Sequence, residues 1–101
     1  MEIIFENSKL KKRCNNATGK LKTRLDDIRD CDNMMILKTL PGHLHPLTKN
    51  RKGEWAIDLE QPKRLIFKPI ADPFPMSEDG WLDLKKFYVI KIIEIGDYHG
   101  K

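Results

Sequence analysis

Hydrophobic residues are spaced differently in the two parts of the chain. After a short β-compatible run at Glu2 to Phe5, Asn7 or Ser8 can cap a first helix through about Cys14, because either side chain accepts hydrogen bonds from free amides. Asn15, Asn16, Thr18 and Gly19 interrupt it. Leu21, Leu25 and Ile28 then recur four and three residues apart, which puts them on one face of a second helix. The opposite face carries Lys22, Asp26 and Arg29 at distances suited to weak ion pairing in water, so the acids Asp26, Asp27 and Asp30 read as a solvated surface. Asp32 or Asn33 can cap one further turn or two, Met34 to Leu40, before Pro41 and Gly42 stop it.

Beyond residue 50 the period becomes two. Trp55, Ile57 and Leu59 alternate with Ala56, Asp58 and Glu60, which predicts a strand covered on one side, and Leu65 and Phe67 repeat the pattern. Tyr88 to Ile95 is nearly all β-branched or aromatic, as expected of an inner strand buried on both faces, with Lys91 and Glu94 as polar exceptions. Between these strands Pro69, Pro73 and Pro75 are expected to prevent regular pairing, while Ser77 can cap a short helix containing Trp81, Leu82 and Leu84. The order is strand, two or three helices, then three strands. It predicts an α+β domain, with the helices packed on a mostly antiparallel twisted sheet and an inserted connection at about 70–87.

At 101 residues the chain has room for one hydrophobic core, so residues 1–101 are expected to form a single domain. A composition 40% hydrophobic and 34% charged is too apolar for general disorder. The longest uninterrupted apolar runs, such as Met34 to Leu37, are far too short to span a bilayer, and Met1 to Phe5 followed by Glu6 does not resemble a secretory leader. A soluble, cytoplasmic protein is expected. Cys14 and Cys31 lack a short Cys-x-x-Cys spacing, which favours reduced, partly buried thiols over a zinc clip or redox couple. Charge is uneven: residues 1–54 hold 12 Lys and Arg against 7 Asp and Glu, a net +5, whereas residues 55–101 hold 7 against 8, a net −1. A concentrated positive field favours a polyanionic partner such as nucleic acid. The cluster from Lys9 to Arg13 reads first as a solvated basic helix face, with ribosomal RNA as its functional alternative.

Three histidines, His43, His45 and His99, are the groups able to exchange protons near neutrality. His43 and His45 have an i,i+2 spacing compatible with a metal on a strand face, but the cysteines are distant and no acidic pattern completes a ligand set, so no metal site is assigned. His45 precedes a basic loop, Lys49-Asn50-Arg51-Lys52, that leads into the first long strand. The next strand opens Lys63-Arg64-Leu65-Ile66-Phe67, and the terminal strand runs out at Asp97-Tyr98-His99. Neighbouring antiparallel strands share an edge where one begins and the other ends, so these segments are expected to converge. Strand alternation sends Tyr98 opposite to Asp97 and His99, which leaves core packing and base stacking as equal alternatives.

The segment Leu44-His45-Pro46-Leu47 with Arg51-Lys52-Gly53-Glu54-Trp55-Ala56-Ile57, the strand Arg64-Leu65-Ile66-Phe67 and the closing Asp97-Tyr98-His99 resemble HigB-type toxins of the RelE-like superfamily. The resemblance covers residues 44–67 and 90–99 and, more loosely, the first two helices. It implies a RelE-like fold and a bacterial toxin of a type II toxin–antitoxin pair. Such a toxin enters the ribosomal A site, cuts messenger RNA there without metal or cofactor, and is neutralised by a helix-turn-helix (HigA-like) antitoxin. Matched by position, it implies His45, Arg64, Asp97, Tyr98 and His99 as catalytic residues, and Lys49 and Arg51 as substrate-holding ones. Two departures stand out: Thr48 occupies the position after Leu47 where the family often has lysine, and the long Ile70 to Phe87 connection replaces what is commonly a short hairpin.

The chemistry of these residue types fits that list. Attack by the RNA's own 2′-hydroxyl needs a proton acceptor, a donor to the leaving 5′-oxygen, and positive charge beside the phosphate. His99 or Asp97 would take or orient the first proton, His45 would make the complementary transfer, and Arg64 would hold the phosphate bidentately. The alternative is a noncatalytic nucleic-acid- or antitoxin-binding module on the same fold, which predicts RNA association without new RNA ends. An unrelated small α+β enzyme is a third reading.

Overall fold

The computed structural model describes residues 1–75 and 82–97, Asp97 through its backbone alone. Strand β1 (Glu2–Phe5) leads into helices α1 (Ser8–Asn15), α2 (Gly19–Asp30) and α3 (Met34–Lys38). A two-residue strand β2 (His45–Pro46) and a 3-10 turn at Lys49–Arg51 precede β3 (Trp55–Asp58) and β4 (Lys63–Pro69). A second 3-10 turn, Leu84–Lys86, precedes β5 (Val89–Asp97). The strands form one sheet in the order β1-β5-β4-β3-β2, antiparallel except for β1, which runs parallel to β5 with Ile3 beside Ile90. The expected α+β arrangement is therefore present.

The helices form where capping and periodicity placed them. Of the two residues able to cap α1, Asn7 does so, its side chain accepting from the Leu10 amide at 2.9 Å; Asn33 caps α3 in the same way through the Ile36 amide. Leu25 and Ile28 of α2 are buried and Leu21 partly so, while Lys22 and Arg29 flank Asp26 on the wet side at 2.9 and 3.7 Å. With Met34 and Leu37 of α3 these residues cover one face of the sheet, packing on Ile57, Leu65, Phe67, Ile90 and Ile92. Cys14 and Cys31 are buried in this core, more deeply than the partly buried thiols expected, and burial pushes both up from the ordinary thiol range.

Four expectations change. Helix α3 ends at Lys38 rather than Leu40, its last turn closed by the Thr39 and Leu40 amides on the Ile36 and Leu37 carbonyls. Pro69 does not prevent pairing: it lies in β4 opposite Ile90. Ile70 donates to the Val89 carbonyl at 2.9 Å, so the backbone of residue 69 faces the other way, toward β3, which begins at Trp55 opposite Phe67 and does not reach Pro69. The inner strand β5 is fully buried only at Ile90 and Ile92, because Tyr88 lies just before it, exposed, and Ile93 and Ile95 are half-buried. In the connection the described turn is Leu84–Lys86, capped by Asp83, while the expected Ser77 cap and Trp81 lie outside the described residues. The connection adds to the core: Leu84 and Phe87 are buried, Phe74 meets Phe87 edge-on at 5.4 Å, and the Met34 amide donates to the Phe87 carbonyl.

The sheet's second face, opposite the helices, carries a smaller apolar cluster of Leu47, Ala56 and Ile66 with Ile93 packed against it. A β-bulge between Ile66 and Phe67 puts both Ile93 and Glu94 of β5 beside Ile66. No helix among the described residues is long and apolar enough to cross a membrane.

Candidate functional site

Strand pairing decides which polar side chains share the second face. His45 pairs with Ala56, Ala56 with Ile66, and Asp58 with Arg64, so all belong to the Ala56 and Ile66 side of the sheet. There the Arg64 Nε donates to Asp58 Oδ1 at 2.9 Å, and both side chains are about four-fifths buried. Charge pairing of this kind, partly shielded from solvent, orients the guanidinium as well as attracting it.

The histidine loop is fastened to the same point. Gly42 and His43 have φ of 115° and 54°, two consecutive left-handed residues that reverse the chain before β2. The Asp58 amide donates to the Gly42 carbonyl at 2.7 Å, and the Arg24 Nε of α2 donates to the Asp58 carbonyl at 3.2 Å. The His43 and His45 rings stack with centroids 4.7 Å apart, and the His45 Nδ1 lies 2.7 Å from the His43 carbonyl. A carbonyl only accepts, so Nδ1 is the donor in this contact, and Nε2 is the ring nitrogen left for other partners. The His43 Nδ1 lies 3.8 Å from Asp58 Oδ2. The acidic partner missing from the sequence spacing of His43 and His45 is thus supplied by the fold, with one ring or carboxylate atom from each of His43, His45 and Asp58 within 4.8 Å of the others.

The residues singled out in the sequence are distributed as follows. His45 and Arg64 meet around Asp58. Gly96 of β5 pairs with Arg64 and Asp97 with Lys63, so the backbone of the last strand ends beside the same corner. Tyr98 and His99 lie outside the described residues, as does the side chain of Asp97. Arg51 is bound between two carboxylates, Glu54 at 2.7 Å and Glu94 at 2.6 Å. Burial alone would pull its pKa down, but the hydrogen bonds it donates to Glu94 and Glu54 outweigh it and raise the value. Arg51 therefore stitches the basic loop to β5.

Lys49, with φ 56°, and Lys52 rim an apolar hollow at the β2 edge with Pro46, Leu47, Trp55 and Leu82. Pro46 pairs with Trp55, a residue of the helix-covered core, so much of this hollow belongs to the opposite side of the sheet from His45. Sequence reasoning missed Asp58, taking it for the solvated phase of an alternating strand. Two signals could have found it: aspartate is depleted in strands, and folding the chain back at Gln61-Pro62 sets Asp58 against Arg64.

No protein-family model and no curated protein matches the chain. Among solved structures the chain is similar to a YoeB/ParE toxin from Agrobacterium tumefaciens, with a TM-score of 0.61 and 13% identity over 98% of this chain and 100% of that one. At that identity the likeness is one of fold: among the described residues, three helices on a five-stranded mixed sheet, matching an α+β toxin fold of the RelE/YoeB type.

Proposed function

We propose that the protein is the toxin of a type II toxin–antitoxin pair, of the HigB type, and cuts messenger RNA in the ribosomal A site, with a helix-turn-helix antitoxin as its neutralising partner. The observation that carries this reading is the meeting of His45 and Arg64 around Asp58 on the sheet face opposite the helices, where β5 also ends. The similarity in fold to a YoeB/ParE toxin supports the same class.

In this reaction a 2′-oxygen attacks the adjacent phosphorus and the bond from phosphorus to the 5′-oxygen breaks, giving a cyclic phosphate and a 5′-hydroxyl. One proton leaves the 2′-hydroxyl and one arrives at the 5′-oxygen, so the chemistry needs two proton-transfer groups and no redox partner. His45, oriented through Nδ1, presents Nε2 for one transfer, and His99 or Asp97 serves the other. Arg64, aimed by Asp58, adds charge beside the phosphorane-like transition state. Asp58 and the His43 carbonyl are positioning groups, and Lys49 attracts the backbone from the loop.

Primer extension on translated messenger RNA tests the reading. Wild-type protein should create new RNA ends on ribosomes, and His45→Gln should lower the rate by about 10² to 10⁴. Absence of wild-type cleavage on ribosomes would overturn it. One observation favours the noncatalytic alternative: Arg51 and Arg64 both already face carboxylates, which weakens the positive field at the site. RNA association without new ends is that reading's signature.

A further inference from the structure

The cluster around Asp58 has the composition of a metal centre as well as that of a proton-transfer site. We propose that His43, His45 and Asp58 bind one divalent transition ion of borderline softness, for which zinc is the natural probe, leaving a coordination position open to water. Two imidazoles and one carboxylate favour such an ion over magnesium or calcium, which take oxygen ligands.

The geometry supports this in four ways. One ligand atom from each residue lies within 4.8 Å of the others. The His43 Nδ1 to Asp58 Oδ2 distance of 3.8 Å is too long for a hydrogen bond; ligands about 2.0–2.1 Å from a tetrahedral ion stand about 3.3–3.4 Å apart, so this pair needs only a small closure, while the widest pair of the set, within 4.8 Å, closes by a larger turn of a histidine ring. The His45 Nδ1 is committed to a backbone carbonyl and Asp58 Oδ1 to Arg64, which leaves Nε2 and Oδ2 for an ion. This is the outer-shell pattern that orients metal-binding side chains. Finally, the ligand-bearing segments are joined before any ion arrives: the Gly42 carbonyl accepts from the Asp58 amide at 2.7 Å, and the left-handed His43 carries its ring onto His45. The His43 side chain is 75% exposed, so water and metal reach the site and the ring can turn toward the ion.

An ion held there occupies the His45 Nε2 and the second oxygen of Asp58. Zinc is then an inhibitor of metal-independent RNA cleavage. This consequence rests on the nuclease reading above, whereas metal binding itself does not.

Metal-free wild-type protein titrated with Co²⁺, followed by visible absorption, should take up one ion per chain in a low-symmetry site and lose the colour on adding one equivalent of Zn²⁺. Competition against a colorimetric chelator should show His43→Ala and Asp58→Asn each weakening zinc binding by at least about tenfold, circular dichroism confirming that both variants fold. A wild-type cobalt spectrum no different from the hydrated ion would overturn the site. So would zinc affinity that survives His43→Ala but is lost in His99→Ala. Cleavage with and without zinc then separates the two proposals. Binding without inhibition leaves the metal site standing and removes His45 from the chemistry, while cleavage without zinc binding removes the metal site alone.

Discussion

Gly42 shows how one residue fixes the candidate site. Its φ of 115° is strained for any residue with a side chain, and an added Cβ would stand 2.9 Å from both the Arg24 Nε and the Ile57 Cγ2. Moving Arg24 aside gives up its hydrogen bond to the Asp58 carbonyl, and moving Ile57 disturbs the strand that carries Asp58. Gly42→Ala is expected to destabilise the fold by at least about 1–2 kcal/mol in urea titrations. His45 and Arg64 were legible as candidates from the sequence. Asp58 was not, because a carboxylate on the outer phase of a strand looks solvated until the neighbouring strand is aligned against it.

At the level of elements, the caps divide into local and long-range ones. Asn7 and Asn33 satisfy amides three residues away, within reach of sequence reasoning. Helix α2 has no side-chain cap from Thr18; instead Glu60, beyond β3, accepts from the Lys20 amide at 3.3 Å, and Gly19, φ 61°, allows that carboxylate to approach. Hydrogen bonds from the Glu60 amide and then the Lys20 amide hold the Glu60 carboxyl below the usual carboxylate range. Its contribution to stability is therefore present above the ordinary carboxylate pKa and is lost as pH falls through the lowered folded-state value. Glu60→Gln should reduce stability at neutral pH and flatten the acid limb of a stability–pH curve; an unchanged acid limb would show that this cap is immaterial. Pro69 offers the converse lesson: a residue read as a strand breaker is tolerated because its backbone faces the side where β3 does not reach it.

Across the whole molecule, the sheet has a thick side and a thin one. Helices cover the face of Phe67, Ile90 and Ile92, all fully buried, while the face of Ala56 and Ile66 carries only a small apolar patch and the polar cluster. Phe67→Ala should cost about 3–5 kcal/mol in chemical unfolding, a large share of the roughly 5–15 kcal/mol that holds a typical domain folded. Cys14 and Cys31 report on the same core: burial raises both thiols, so alkylation of native protein should be slow and should accelerate with the unfolding transition. Rapid labelling of both without unfolding would show that this side of the core opens locally. The helices, the long strands and the α+β class could be read along the chain, because period, caps and breakers act over a few neighbouring residues. Packing and register set the parallel β1–β5 pairing, the Glu60 cap of α2, the pairing of Arg51 with Glu94 and the grouping of His43, His45, Asp58 and Arg64. Each of these includes partners well separated along the chain, and only strand register and packing bring such partners together.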